Sequence, residues 1–119
     1  MSRFQKATRR GQKARIALYG PPGAGKTYSA LGIATGLVGE GERFAVIDTE
    51  FGSASKYADG EPFDFDSLEL QNHSVESYVD AIKAAAEEGY RCIVIDSLTH
   101  GWHTLNDEVQ KIADRSTRA

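Results

Sequence analysis

The chain has 119 residues, of which 40% are hydrophobic and 26% charged, with a formal net charge of −3. That is one globular domain or part of one, and it is not the composition of a disordered chain. No apolar run approaches the roughly 20 residues of a membrane-spanning helix, and Ile16–Tyr19 is too short for a signal-peptide core. The single cysteine, Cys92, excludes an internal disulfide and a Cys-based zinc site, and suits a reducing compartment, the cytoplasm.

In chain order, residues 1–13 read as a basic arm. Arg3, Lys6, Arg9, Arg10, Lys13 and Arg15 have no acid among them, whereas all 17 acids lie beyond residue 15. Such an arm can touch nucleic-acid phosphate. With one aromatic, Phe4, and no repeat, a solvated tail is the plainer reading. Residues 14–119 read as one domain. Arg15–Tyr19 is a short apolar run closed by Gly20, which predicts a buried strand. A Gly- and Pro-rich stretch follows over 20–25. From Lys26 to Val38 apolar residues recur every three or four positions, which predicts a helix ended by Gly39-Glu40-Gly41. Phe44–Ile47 predicts a second buried strand with Asp48-Thr49-Glu50 at its C-terminal end. Residues 51–66 read as a loop with a short turn around Ser55–Ala58, and Leu68–Leu70 as a weak strand. Ser74 caps a helix predicted over Val75–Glu88, with Glu76 in its first turn and Gly89 as its stop. Cys92–Ile95 is the cleanest buried strand, followed by Asp96 and Ser97. A last helix is predicted from about His100 to Asp114.

Continuous apolar strands separated by helices predict an α/β fold of three layers, with a mostly parallel sheet covered on both faces. Ligands of such sheets bind at the C-terminal ends of the strands. That edge collects Gly20–Thr27, Asp48–Glu50, Gln71–His73 and Asp96–Ser97.

Gly20-Pro21-Pro22-Gly23-Ala24-Gly25-Lys26-Thr27 fits G-x-x-x-x-G-K-[ST] between a predicted strand and a predicted helix. Its glycines let backbone N–H groups converge on an anion, and the helix N-terminus adds its dipole. Lys26 is placed to reach the β- and γ-phosphates, and Thr27 offers a hydroxyl to Mg²⁺. Asp96, at the end of another apolar strand, is the matching carboxylate for the metal. Hydrolysis also needs a group that orients water. Many phosphate-loop ATPases place a Glu directly after the metal-linked Asp, but here that position is Ser97. Glu50, on the same predicted edge, is the other candidate.

Four segments in order, Gly20–Thr27, Val46–Glu50, Leu68–Ser74 and Ile93–Ser97, resemble the RecA-like recombinase ATPases. The resemblance implies Glu50 as catalytic base with Lys26, and Tyr57, seven residues on, as an adenine-stacking residue, against the alternative of a loop anchor packing on the sheet edge. An acid that the family carries between those two falls on Ala54. Phe4–Thr8, Ala14–Leu18, Lys26–Leu31 and Asp96–His100 with Trp102 resemble, more closely, phage- and prophage-type AAA-family ATPases with a RecA-like core. Their implied role is DNA recombination or single-strand annealing, with single-stranded DNA and further copies of the chain as partners. The RecA-like topology inserts a further strand between the metal-Asp strand and the phosphate-loop strand. Nothing after Asp96 reads as that strand, so an incomplete core of a longer protein is expected, with a sheet that closes differently, the two motif strands adjacent, as the alternative.

The lesser candidates have plainer readings. His73 lies on a different element from His100 and His103, and all three read as surface or packing histidines, with His73 at the active edge. Trp102 reads as a core anchor and Cys92 as an apolar filler. Tyr28 continues the loop into the helix, where packing competes with a place beside the cofactor. Ser97 can hydrogen-bond near the metal. The resulting expectation is Mg²⁺-dependent ATP binding and hydrolysis. A non-hydrolysing nucleotide-binding module and a small-molecule or nucleotide kinase are the alternatives. The later chain offers only Arg91, Arg115 and Arg118 for a kinase lid, and no N-K-x-D motif reads guanine.

Overall fold

Three of the apolar runs pair side by side. The computed structural model describes residues 2–7, 13–21, 23–50, 52, 54–57 and 63–117. Within them β1 (Phe44–Asp48), β2 (Phe65–Glu69) and β3 (Ile93–Asp96) form a parallel sheet in the order β2-β1-β3. The register sets Asp48 beside Glu69 on one side and beside Asp96 on the other. The C-terminal ends of all three strands therefore lie on one edge, as the sequence predicts for an α/β fold.

Three helices complete the described chain: α1 (Lys26–Val38), α2 (Val75–Glu87) and α3 (Thr99–Thr117). Side chains alternate between faces along a strand. Phe44 and Val46 of β1 join Leu31, Ala34 and Val38 of α1 in one core cluster with Phe63 and Phe65. The Phe44 and Phe65 rings stack with centroids 5.6 Å apart. Ala45 and Ile47 point to the opposite face, where α2 buries Tyr78, Ala81 and Ala85. The sheet is thus sandwiched between helices, consistent with an incomplete RecA-like core. Every residue of β1 is buried because both its faces and both its edges are covered.

The helix boundaries follow local chemistry. Ser74 Oγ accepts the Ser77 N–H at 3.2 Å and caps α2. Gly89 follows the C-cap, Glu88, with φ of 91°, a conformation that favours glycine. A 3-10 turn occupies Ala54–Tyr57, close to the turn expected at Ser55–Ala58, of which Ala58 lies outside the described residues.

Four expectations are corrected. Arg15–Tyr19 is not a strand of the sheet. Residues 13–19 are exposed, with Ile16 59% and Tyr19 95% accessible. A groove of about 800 Å³ includes this segment and β3 in its walls, along with the Ala30, Ile33 and Leu37 side of α1. An apolar run becomes a strand only where a neighbour satisfies its backbone, and the described sheet ends at β3. For the same reason β3 is a half-buried edge strand rather than the most buried one. β2 begins at Phe65, three residues before the predicted start, because pairing with Phe44–Val46 draws Phe65–Ser67 into the ladder. Trp102 is 63% exposed rather than a core anchor. It shares an open stripe of α3 with Leu105, Val109 and Ile112, while the buried Gly101 meets the Tyr78 ring of α2.

Candidate functional site

The loop before α1 has the backbone its glycines permit. Gly23 and Gly25 have φ of 81° and 85°, the left-handed region that costs other residues about 1–2 kcal/mol. Ala24 N–H closes a turn on the Pro21 carbonyl at 3.2 Å. Gly25 is the N-cap of α1 and carries no side-chain cap. The first intrahelical bond runs from Ser29 N–H to the Gly25 carbonyl at 2.9 Å, so the amides of Lys26, Thr27 and Tyr28 head the helix ahead of its ladder. Uncapped amides at a helix N-terminus attract anions. Pro22 lies outside the described residues.

Lys26 arches over this loop, and its Nζ donates to the Gly20 carbonyl at 2.5 Å. Thr27 Oγ1 donates to Asp96 Oδ2 at 2.9 Å, across 69 residues of sequence. Burial raises the Asp96 pKa above the ordinary value. The Thr27 hydrogen bond opposes that, the charges of Asp48 and Glu50 add to it, and Lys26 opposes it. A carboxylate held at that disadvantage gains from a cation.

Glu50 stands at the C-terminal edge of β1. Its backbone N–H donates to Asp48 Oδ1 at 2.8 Å, an Asx-type turn that sets the direction of departure from the strand. Its Oε1 accepts a hydrogen bond from Ser97 Oγ at 2.7 Å, and His100 Nε2 lies 3.9 Å from the same oxygen. The His100 and His73 rings stack at 4.7 Å, and His73 Nε2 lies 3.2 Å from the Leu70 carbonyl oxygen. Gly20, Lys26, Thr27, Glu50, Asp96 and Ser97 all line the one groove. The catalytic and metal-binding candidates are thus brought together.

The aromatic candidates gather elsewhere. Tyr28 and Tyr57 meet edge-on at 5.9 Å, and Phe63 lies 5.0 Å from Tyr28. This cluster is absent from the walls of the groove.

Among the described residues no three His, Cys, Asp or Glu side chains are grouped to hold a metal by themselves. Thr27 and Asp96 instead offer two hard oxygen donors. Mg²⁺ is commonly bound through one or two protein oxygens together with substrate phosphates and water. The donor set fits that use.

Sequence reasoning missed the frame around Ser97. Ser97 N–H donates to Thr49 Oγ1 at 2.8 Å, and Thr49 Oγ1 donates back to the Ser97 carbonyl at 3.0 Å. Tyr78 OH donates to the same carbonyl at 3.0 Å. The signal was partly visible, because Thr49 and Ser97 close adjacent strand ends. Tyr78 carried none, since helical spacing marks it only as a core residue. Burial also pushes the Cys92 thiol pKa up, which fits the apolar-filler reading.

A family model described as an AAA domain matches residues 12–118. No curated protein and no solved structure matches the chain. The match spans nearly the whole sequence, and the chain belongs to this AAA family of phosphate-loop ATPases.

Proposed function

We propose that this AAA-domain chain binds ATP with Mg²⁺ at the groove between the Gly20–Thr27 loop and the ends of β1 and β3, and that hydrolysis of the γ-phosphate is its activity. The observation that carries this reading is the Thr27–Asp96 hydrogen bond of 2.9 Å, with Lys26 and Glu50 on the walls of the same groove. The amides at the start of α1 and the loop formed by Gly20, Pro21, Pro22, Gly23, Ala24 and Gly25 receive the phosphates. Lys26 exchanges the Gly20 carbonyl for phosphate oxygens. Thr27 and Asp96 hold Mg²⁺, which draws charge from the phosphate oxygens when bound. Glu50 orients the attacking water. A contact of the adenine with Tyr28 and Tyr57 rests on the sequence alone, since both rings lie outside the walls of the groove.

The finer setting rests on the sequence resemblance: a phage- or prophage-type ATPase acting in DNA recombination or single-strand annealing, with single-stranded DNA and further copies of the chain as partners, in the cytoplasm. The exposed Arg3, Lys6, Lys13 and Arg15 suit a phosphate backbone. Among the described residues no helix is long and apolar enough to cross a membrane.

Calorimetry with Mg-ATP tests the binding. Wild type is expected to bind, and Lys26→Ala to lose at least about tenfold in affinity, the loss of one charge-assisted contact. Equal binding by the two would refute the placement of the phosphates.

A further inference from the structure

Ser97 occupies the position where many phosphate-loop ATPases carry the water-orienting Glu. Here it carries a hydroxyl aimed at the carboxylate that β1 supplies. Ser97 Oγ donates to Glu50 Oε1 at 2.7 Å, a short, charge-assisted bond. We propose that Ser97 is a positioning residue for Glu50, holding one carboxylate oxygen so that the other is presented to the water that attacks the γ-phosphate. The proposal rests on the reading of Glu50 as the water-orienting group.

A donor can position a base only if it is itself fixed. Glu50 is half-buried and, unheld, would sample several rotamers. Ser97 is fastened on every side. Its N–H and carbonyl form a reciprocal pair with Thr49 Oγ1 at 2.8 and 3.0 Å, and Thr49 is 2% exposed. Thr49 N–H in turn donates to the Asp96 carbonyl at 2.8 Å. Tyr78 OH, on a ring 5% exposed, takes the second lone pair of the Ser97 carbonyl. The hydroxyl also accepts the Thr99 N–H at 3.3 Å as α3 begins. That acceptor bond leaves the hydroxyl proton for Glu50. The clasp therefore joins the ends of two adjacent strands, with the base on one and its holder on the other.

Ser97 has a purely structural alternative role, the entry into α3 through Thr99. The test must separate the two. Binding of Mg-ADP with aluminium fluoride, which mimics the transferring phosphoryl group and its attacking water, is compared by calorimetry with binding of Mg-ADP alone. Wild type is expected to prefer the mimic, and Glu50→Gln to lose that preference. Ser97→Ala is expected to lose about tenfold of it while Mg-ADP affinity stays within about twofold, the loss of one hydrogen bond to a charged group. Ser97→Thr, which keeps the hydroxyl, restores it. In the Glu50→Gln background Ser97→Ala is expected to add nothing. Should Ser97→Ala fail to fold, Ser97→Cys keeps the volume and offers only a weak donor. A preference abolished by Glu50→Gln but retained without the Ser97 hydroxyl would overturn the proposal and leave the role of Glu50 standing. A wild type without preference, or a Glu50→Gln variant that keeps it, would overturn the role of Glu50 and the proposal with it.

Discussion

Replacing Gly101 by alanine tests how α3 is held on the sheet. A Cβ on Gly101 would lie 2.6 Å from Tyr78 Cε2, 3.1 Å from Cζ and 3.3 Å from Cδ2. Carbon atoms in contact prefer roughly 3.5–4.0 Å, so ring and methyl must separate by about 1 Å. The ring is not free to give way. Tyr78 is 5% exposed, and its hydroxyl donates to the Ser97 carbonyl at 3.0 Å. A displacement of about 1 Å along that bond exceeds hydrogen-bond range and loses about 1 kcal/mol. Overpacking adds about 1–3 kcal/mol. The better helix propensity of alanine returns at most about 1 kcal/mol, and less at the third residue of a helix. The net expectation for Gly101→Ala is a destabilisation of about 1–3 kcal/mol, read as a lower urea midpoint with an unchanged slope. Tyr78→Leu removes the obstructing ring atoms, so in that background Gly101→Ala should be neutral or stabilising. The sign change across the double-mutant cycle is the diagnostic. A Gly101→Ala chain as stable as wild type would refute the reasoning, because α3 would then not be seated on Tyr78.

Two further outcomes follow from single contacts. Asp96→Asn keeps an acceptor for Thr27 and removes a charge that burial and the Asp48 and Glu50 carboxylates disfavour. The folded state of wild type therefore binds the Asp96 proton more tightly than the unfolded state does. Its stability falls as pH rises from below 3.8 through the raised folded value. In chelator, Asp96→Asn should be the more stable chain at neutral pH, with an advantage that fades below about pH 4. The same substitution should weaken Mg-ATP binding, and thermal melts across pH check the first part. Ser74→Ala removes the oxygen that accepts the Ser77 N–H at 3.2 Å. It should cost about 1 kcal/mol in urea unfolding and leave nucleotide binding unchanged, since α2 contributes no wall to the groove.

Much of this chain was legible in its residues. The α1 boundaries at Lys26 and Val38, the Ser74 cap and the strands around Phe44–Ile47 and Ile93–Ile95 follow from periodicity, caps and glycines. These are signals set by neighbours within a turn or a strand. The groups at the groove were legible for the same reason. The loop pattern marks Lys26 and Thr27, and a carboxylate closing an apolar strand marks Asp96.

What neighbours in sequence cannot encode is partnership. The Arg15–Tyr19 run has the composition of a strand, yet it lies exposed, because strand formation depends on a second backbone alongside it. Trp102 looks like core by hydrophobicity, but burial depends on what α3 packs against: its Gly101 side meets Tyr78 of α2, while Trp102 is left exposed. The Ser97–Glu50 bond spans 47 residues and exists because parallel register sets Asp48 beside Asp96, bringing the two strand ends into hydrogen-bond reach. Local chemistry marked Lys26, Thr27, Asp96 and Glu50 as the candidates for phosphate, metal and water contacts. The tertiary register alone decided which of them hold one another.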